Sequence, residues 1–218
     1  MRPQPPTVEM VLDRDIFPEC IAVIARRAVI VDLGAHEPQQ KQLREYRPLF
    51  SGARYYATDL SPHPGLDFVA DAQDIPLQDA SVDAILCHSL LEHVFEPTQV
   101  AREMFRVLKP DGVAFVYVPF LYAYHGDPRG KGPVDCYRFS PDAIRYLFRD
   151  FARIQIQPVS RAVEASLRLL MARFGRLEPA ARRLGRFVDG RRGGATGVYQ
   201  ASGYNIWLEK GRREAGGA

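Results

Sequence analysis

A glycine and an acidic residue close two neighbouring apolar runs in the N-terminal half of the chain. The first run, residues 28–33, leads into Gly34, and the second, residues 54–58, leads into Asp59, 25 positions after that glycine. Glycine at such a turn lets the backbone approach a ligand closely, and an acid at the next strand end accepts hydrogen bonds from ribose hydroxyls. The pair therefore indicates a nucleoside site, and the order of the remaining segments decides how much weight it carries.

A second group of reactive side chains lies in one irregular stretch, residues 120–139. The stretch holds five glycine and proline residues together with His125, Asp135, Tyr137 and Arg138. In open α/β sheets, substrate contacts are placed on long loops of this kind, which leave the carboxyl end of a parallel strand. We therefore expect residues 120–139 to form a substrate loop.

Seven apolar runs, separated by helical patterns, must position these residues. The predicted strands are residues 28–33, 54–58, 66–70, 81–87, 113–119, 151–157 and 204–208. The predicted helices are short ones within residues 8–27, then 39–46, 96–108, 141–148 (capped by Ser140), 161–174 and 179–188. Strands that are nearly continuous in apolar residues and alternate with helices favour an α/β fold with a doubly wound, mostly parallel sheet of seven strands.

Composition places the chain among ordinary globular proteins. Its 218 residues are 46% hydrophobic and 25% charged, enough for one buried domain with an appendage. No run of about 18 apolar residues exists, so we expect no transmembrane segment, and the polar N-terminus lacks the apolar stretch of a signal peptide. The three cysteines show no C-x-x-C spacing, which fits a cytoplasmic location. The histidines lie on different predicted loops without ligand spacing, so no metal site is expected.

Positive charge is concentrated in the C-terminal third. The whole chain has 29 Lys and Arg against 26 Asp and Glu, but residues 151–218 have 13 against 5. Solvated helix surfaces account for such an excess, and so does an anionic partner such as a phosphorylated substrate, a membrane surface or a nucleic acid. Both interpretations stay open. We expect residues 159–192 to form an Arg-rich helical insertion that acts as a lid or as the face of a homodimer.

Five short motifs follow one another in a recognisable order. They are Val31-Asp32-Leu33-Gly34, Thr58-Asp59-Leu60-Ser61, Ala70-Asp71-Ala72-Gln73-Asp74-Ile75-Pro76-Leu77, Leu91-Glu92-His93-Val94 and Arg106-Val107-Leu108-Lys109-Pro110-Asp111-Gly112. This order resembles the class I S-adenosylmethionine-dependent methyltransferases, in particular their bacterial small-molecule and glycan branch with an LEHV signature. The resemblance covers residues 28–157 and the closing strand at 204–208. It implies a Rossmann-like methyltransferase fold in a single domain, residues 1–218, with S-adenosyl-L-methionine as cofactor.

The same resemblance implies roles for residues at the strand ends. Asp32 would organise the loop and meet the methionine amino group, Asp59 would hold the ribose hydroxyls, and Asp71 would accept from the adenine amino group. His88 and Ser89 would flank the methionine portion. The full implied cofactor set is Asp32, Gly34, Ala35, His36, Asp59, Leu60, Asp71, Ala72, His88 and Ser89.

One position departs from the family pattern. The first motif of the family usually reads Asp-x-Gly-x-Gly, and here His36 stands in place of the second glycine. A bulky side chain at this position is expected either to weaken cofactor binding or to mark an inactive relative. Pro38 in the same loop points instead to a variant loop path. The three interpretations stay open.

A second, local resemblance concerns the substrate loop. Segments 119–125 and 133–140 are similar to a block in methyltransferases of cell-surface polysaccharide or secondary-metabolite pathways, with residues 126–132 inserted between them. The implied function is O-methylation of a small molecule or glycan. The alternatives are N-methylation of an amino sugar or natural product, and an inactive module that binds a ligand or partner. A nucleic acid is not expected, because Cys87-His88-Ser89-Leu90 replaces the Asn/Asp-Pro-Pro-Tyr motif of base amino-group methylation.

Transfer to a hydroxyl or amine benefits from a general base with a pKa near neutrality, and histidine is the first candidate. We predict His125 as this base, with Asp135 orienting it or binding substrate hydroxyls and Tyr137 forming an aromatic wall. The competing interpretation of His125 is a loop histidine that bonds to the backbone.

Three neighbouring residues receive structural or mixed interpretations. Arg138 is predicted either to clamp an anion or to pair with Asp142 on the next helix. Glu92 is interpreted as an acid at a helix start, where it interacts with the helix dipole. His93 is interpreted as a structural contact with a neighbouring loop.

Overall fold

One sheet of eight strands organises the computed structural model, which describes residues 5–36, 41–171, 177–192 and 199–212. In chain order the strands are β1 Thr7–Met10, β2 Val29–Leu33, β3 Arg54–Asp59, β4 Phe68–Val69, β5 Val82–His88, β6 Leu108–Pro119, β7 Arg153–Pro158 and β8 Gly203–Glu209. Their order across the sheet is β1-β7-β8-β6-β5-β2-β3-β4. Neighbouring strands are parallel except around β8, which runs antiparallel between β6 and β7. The predicted α/β, mostly parallel sheet is confirmed.

The eighth strand corrects the prediction of seven. The sequence predicts short helices within residues 8–27, but Thr7–Met10 forms β1, parallel to β7, with alternating exposed and half-buried side chains. Glu9 anchors this edge by accepting from Gln155 at 2.8 Å and from Arg153 at 3.2 Å. Four residues contain too few periods to distinguish a strand from a helix by pattern alone.

Two further elements differ from their predictions. The strand expected at residues 66–70 is reduced to Phe68–Val69. The helix expected at residues 39–46 is a 3₁₀ helix, Lys41–Gly52, in the part that the structure describes. Pro48 lies inside it and lacks the N–H that a continuous α-helix would use, which favours the tighter turns.

The first three α-helices pack against the sheet, and the last two pack against each other. They are α1 Phe17–Ala25, α2 Pro97–Val107, α3 Pro141–Leu147, α4 Ala162–Met171 and α5 Glu178–Arg192. Ser140 caps α3 as predicted, because its hydroxyl accepts from the Ala143 N–H at 3.3 Å. The last predicted residues of α4, 172–174, lie outside the described ranges. None of the helices within those ranges combines the length and the apolar character that a bilayer-spanning segment requires.

Two apolar clusters fill the two faces of the sheet. Along β2, Ile30 joins the cluster that contains Ile24 of α1, while Val31 joins the cluster that contains Met104 of α2. Successive side chains of a strand point to opposite faces, so each face needs its own helical cover. The sheet is therefore doubly wound, and the carboxyl ends of its parallel strands meet at one edge.

Candidate functional site

The residues of the implied cofactor set gather at the carboxyl edge of the sheet. Asp32 lies within β2, and the others follow strand ends: Gly34, Ala35 and His36 after β2, Asp59 and Leu60 at β3, Asp71 and Ala72 after β4, and His88 and Ser89 at β5. Residues 37–40, which include Pro38, lie outside the described part of the chain. Parallel strand ends at a topological switch point form the crevice in which such sheets bind ligands.

The turn after β2 is tight and needs a glycine. Gly34 has a φ of +67°, and a Cβ built there would lie 2.9 Å from Leu90 Cδ1. The next amide, Ala35 N, donates to the Thr58 carbonyl at 2.8 Å and so fixes the turn to the end of β3. The short distance between Gly34 and Leu90 places Leu90, the second residue after β5, directly against the turn.

Alanine at position 34 is expected to lower the free energy of unfolding by about 1–2 kcal/mol, because a Cβ is costly in the left-handed region. Leu90 must also move aside. Urea denaturation measures the change. Gly52→Ala is the matched control, since a Cβ at Gly52 meets nothing within 4 Å. Equal losses in the two variants would contradict the role assigned to the turn.

His36 adopts a left-handed backbone conformation two residues after Gly34. Its φ is +51°, a region that histidine enters more readily than most residues. The His36 ring packs against His63, with Nδ1 3.0 Å from His63 Nε2, and its amide donates to Asp59 Oδ2 at 3.0 Å. The substitution thus retains the turn and adds a contact to the end of β3.

Asp59 is held in place by backbone amides. Its Oδ2 accepts from His36 N, and its Oδ1 accepts from Ser61 N at 3.2 Å. A carboxylate offers about four acceptor positions, so two amide bonds leave acceptor capacity for a ligand. Leu60 beside it is 68% exposed, an open apolar surface at the rim of the crevice.

Asp32 is buried, and the Tyr55 hydroxyl donates to its Oδ2. Burial raises the pKa of Asp32 to about 7, although the bond from Tyr55 acts in the opposite direction. The sequence analysis did not identify Tyr55 as part of this site. The missing information is the register of β2 on β3, which places Tyr55 near Asp32 and which the amino-acid pattern does not specify.

Raising the pH from 5 to 8 is expected to destabilise the protein without ligand. A carboxyl whose pKa is raised on folding contributes stability below its unfolded pKa of about 4, and that stability is lost as the pH rises through 7. The effect of Asp32 is on the order of 3 kcal/mol. Burial also raises the pKa of Glu92 to about 7, which adds in the same direction. Burial raises the pKa of the neighbouring Cys87 thiol further still, so this group stays neutral in that range.

Urea denaturation at pH 5 and pH 8 checks this prediction. Asp32→Asn should remove part of the loss of stability and leave the part that Glu92 causes. A loss of the same size in the variant and in the wild type would show that Asp32 does not titrate in this range.

Asp71 already has a partner in the structure. Its carboxylate accepts from Gln73 N at 2.8 Å and from the Gln73 side-chain amide at 3.2 Å. The Gln73 side-chain oxygen accepts in turn from Glu96 N at 3.0 Å, so the turn after β4 is linked to the start of α2. Ala72 in this turn is buried.

The end of β5 presents His88 and Ser89. The His88 ring stacks on Tyr117 of β6, with ring centroids 4.7 Å apart and planes at 16°. Ser89 adopts a φ of +54°, its amide donates to the Tyr117 carbonyl at 3.1 Å, and its Oγ lies 3.2 Å from His88 Nδ1. The turn that leaves β5 is therefore sharp and tied to the neighbouring strand.

The substrate loop is organised by Asp135. Its carboxylate accepts a two-pronged pair of bonds from Arg138 and accepts from the His125 N–H at 2.9 Å. The bonds from Arg138 hold the pKa of Asp135 well below its usual range. The alternative pairing of Arg138 with Asp142 is wrong, because Asp142 pairs with Arg145 at 2.8 Å. The ion pair with Asp135 leaves the predicted anion clamp without direct support.

The predicted catalytic residues lie together, each with an identifiable contact. His125 Nδ1 lies 3.4 Å from Asp135 Oδ2 and 3.2 Å from the Ala123 carbonyl. The structure therefore contains both the predicted orienting acid and the backbone bond of the competing interpretation. The Tyr137 hydroxyl donates to the Phe95 carbonyl at 2.8 Å, so its ring rather than its hydroxyl faces outward as a wall.

Glu92 is the functional candidate that the sequence analysis underestimated. It lies in the 3₁₀ turn Leu91–His93, only 1% exposed, and among the described residues neither of its carboxylate oxygens has a hydrogen-bond partner. Its Oε1 lies 3.7 Å from His125 Nε2 and 3.9 Å from His93 Nε2. The predicted loop contact of His93 is confirmed, since its Nδ1 donates to the Val134 carbonyl.

Comparisons with known proteins agree with this geometry. A family model described as "Methyltransferase domain" matches residues 39–116. An uncharacterized methyltransferase of Mycobacterium bovis is 31% identical over 128 residues, which cover 58% of this chain and 46% of that protein. A Mycolicibacterium smegmatis protein named "Probable S-adenosylmethionine-dependent methyltransferase" is 34% identical over 101 residues, 46% of this chain and 33% of that protein. The chain thus matches less than half the length of these relatives.

Solved structures extend the likeness to most of the chain. A SAM-dependent methyltransferase from Archaeoglobus fulgidus superposes with a TM-score of 0.58 and 12% identity, covering 88% of this chain and 90% of that one. Another, from Methanosarcina mazei, gives 0.52 and 15%, covering 92% of this chain and all of that one. At these identities the likeness concerns the fold. The chain therefore has the Rossmann-like fold of the S-adenosylmethionine-dependent methyltransferases and carries, at residues 39–116, a match to their methyltransferase domain.

Proposed function

We propose that the protein is an S-adenosylmethionine-dependent methyltransferase that methylates a hydroxyl oxygen of a small molecule or glycan. The observation that carries the proposal is the shared edge of the sheet. There the glycine turn and Asp59 lie at one group of strand ends, and the cluster of His125, Asp135 and Glu92 lies beyond the next strands.

The residues at the glycine turn fit a nucleoside cofactor. Gly34 leaves no side chain between the backbone and a ligand, and Asp59 keeps acceptor positions for a pair of ribose hydroxyls. Asp32, Asp71, His88 and the turn residues beside them are assigned to the same cofactor. His36 lies beside this site, where its amide donates to Asp59 Oδ2 at 3.0 Å.

When bound, S-adenosylmethionine would supply an electrophilic methyl group for the acceptor oxygen. The protein then has two tasks, to align the acceptor and to remove its proton. The His125 Nε2 is the predicted proton acceptor. Its Nδ1 faces a carbonyl oxygen and a carboxylate, both of which can only accept, so Nδ1 carries the ring proton and Nε2 carries the lone pair.

Exposed aromatic rings around this cluster favour an acceptor with an apolar or ring-shaped body. Phe95, Tyr122, Tyr124 and Tyr137 are between 39% and 67% exposed, and the Tyr122 ring contacts the His125 ring at 5.4 Å between centroids. Sugars and phenols stack on such surfaces. A hydroxyl-bearing ring is therefore the acceptor class that this rim suits best.

Within this proposal, α4 and α5 form a lid or a dimer face over a single domain. The two helices pack against each other, and the charge of Arg168 on α4 opposes the rise that burial causes in the pKa of Tyr117. Leu170, Leu184 and Phe187 of this helix pair are exposed apolar side chains in the described part of the chain. An anionic substrate is the partner that the arginines of this region suggest.

Calorimetry with S-adenosylmethionine tests the proposal first. Binding with a dissociation constant in the micromolar range supports it, whereas no binding at millimolar cofactor would leave only a module with the same fold. Radiolabelled methyl transfer to panels of phenols, sugars and amines then identifies the acceptor atom. If the label survives mild base and appears only on amines, the reaction is N-methylation and not O-methylation.

A further inference from the structure

Three potential metal ligands outside the cofactor set converge in the described part of the chain. One oxygen of Glu92 and one nitrogen each of His93 and His125 lie within 4.8 Å of one another. Glu92 and His93 come from the turn after β5, and His125 comes from the loop after β6. Two parallel strand ends bring them together although 32 positions separate His93 from His125.

Both imidazole rings are oriented by bonds on their far side. His93 Nδ1 donates to the Val134 carbonyl, and His125 Nδ1 faces the Ala123 carbonyl at 3.2 Å and Asp135 at 3.4 Å. Histidines that bind metals are typically held in this way, with the outer nitrogen donating to a carbonyl or carboxylate and the inner nitrogen left as the ligand. Both Nε2 atoms then present lone pairs towards Glu92.

The Glu92 carboxylate faces these lone pairs without a donor of its own. It is 1% exposed, and within the described residues neither oxygen has a hydrogen-bond partner. A buried charge without a partner is costly, and three acceptors that face each other need something positive between them. Arg138, whose charge acts on Glu92, is already bonded to Asp135 and to three backbone carbonyls.

We propose that Glu92, His93 and His125 bind a divalent transition-metal cation, with Zn²⁺ as the reference ion. Two imidazoles and one carboxylate, with a position left for water or substrate, are a ligand set of catalytic zinc and of other first-row metals. Ligands of tetrahedral Zn²⁺ lie about 3.3 Å apart. Oε1 lies 3.7 and 3.9 Å from the two nitrogens, and all three ligand atoms lie within 4.8 Å of one another, so closure needs movements of about 0.5–1.5 Å.

The open position of such a site faces solvent. The His93 and His125 side chains are 18% and 33% exposed, whereas Glu92 closes the inner side. A bound cation would lower the pKa of an acceptor hydroxyl at this position, and the hydroxyl proton would leave to solvent. His125 would then be a ligand instead of the base. This role rests on the proposed methyl transfer, whereas cation binding itself does not.

Titration of the untagged protein with Co²⁺ tests the site without cofactor or substrate, because the visible absorption of Co²⁺ reports its ligands. We expect one ion per chain, displaced by Zn²⁺. Glu92→Gln, His93→Ala and His125→Ala should each weaken binding at least 100-fold. Asp135→Asn weakens the acceptor that orients the His125 ring and pairs with Arg138, and should weaken binding about 10–100-fold. His63→Ala is the matched control, since His63 pairs with His36 outside the cluster and its loss should leave the stoichiometry at one.

Several outcomes would overturn the site. One is the absence of Co²⁺ binding at millimolar metal while circular dichroism shows a folded protein. Another is binding that survives Glu92→Gln and His125→Ala, or that disappears with His63→Ala. Calorimetry with S-adenosylmethionine, repeated on Glu92→Gln, keeps the two proposals separate. If the protein binds Co²⁺ but not S-adenosylmethionine, the metal site is supported and the proposed methyl transfer is excluded. If it binds S-adenosylmethionine but not Co²⁺, the methyl transfer is supported and the metal site is excluded.

Discussion

Alanine in place of His125 is expected to lower the turnover number by about 10²–10⁴-fold, the range of a lost general base. The affinity for S-adenosylmethionine should stay within about twofold, because His125 lies beyond β6 and the cofactor set lies at β2 to β5. The measurement combines single-turnover methyl transfer with calorimetry on the same preparation. Asp142→Asn serves as the control, since Asp142 is an exposed partner of Arg145 on α3 and should retain full turnover.

The pH profile and a chelator separate the two ways in which His125 can act. As a base it must be neutral, so the rate should rise with pH and should not respond to EDTA. As a metal ligand it should give a rate that EDTA abolishes and Zn²⁺ restores. Unimpaired turnover in His125→Ala would exclude both roles, and would leave the backbone bond of this histidine as its whole contribution.

Alanine in place of Asp59 is expected to weaken S-adenosylmethionine binding by about 100-fold or more. Hydrogen bonds to a charged acceptor contribute about 1.5–3 kcal/mol each, and the predicted contact comprises two. The substitution also releases His36 N and Ser61 N, which Asp59 holds at 3.0 and 3.2 Å, so the turn should become less ordered. Calorimetry measures the affinity, and amide hydrogen exchange of residues 34–36 reports the turn.

Asp83→Asn is the matched control for this experiment. Asp83 lies near the start of β5, at the opposite edge of the sheet, where it pairs with Lys109 and accepts from Val29 N. Its loss should reduce stability and leave cofactor affinity unchanged. An Asp59→Ala protein that binds as tightly as the wild type would remove Asp59 from the ribose and leave it as a brace for the turn.

The parts of the fold that rest on long, repeated patterns were predictable from the sequence. The central strands β2 and β5 and residues 113–119 of β6 are mostly apolar runs. The periodicity of α2 predicts residues 96–108 against the observed Pro97–Val107. Short or locally irregular elements were not predictable, since β1 and β4 have four and two residues. Their pairing depends on tertiary partners that the local pattern does not contain.

The residues of the candidate site also differ in how well the sequence predicts them. The glycine turn and Asp59 could be identified because each directly follows a strand. Glu92 could not be identified in this way, because its proposed role depends on its burial and on His125, a histidine 33 positions away. Ligand spacing along the chain identifies only sites built on one element, whereas this cluster is assembled by two strand ends. For the same reason the proposed metal site could not be recognised from ligand spacing along the sequence.

The first strand has a consequence for handling the protein. Four residues near the N-terminus cover the outer side of β7, and their amides and carbonyls bond to a segment more than 140 positions away. A shortened version that begins after Met10 would make β7 the edge strand of the sheet and leave its outward-facing backbone N–H and carbonyl groups unpaired. Open borders of this type recruit strands from other molecules. Such a version is therefore expected to self-associate even though every residue of the crevice is still present.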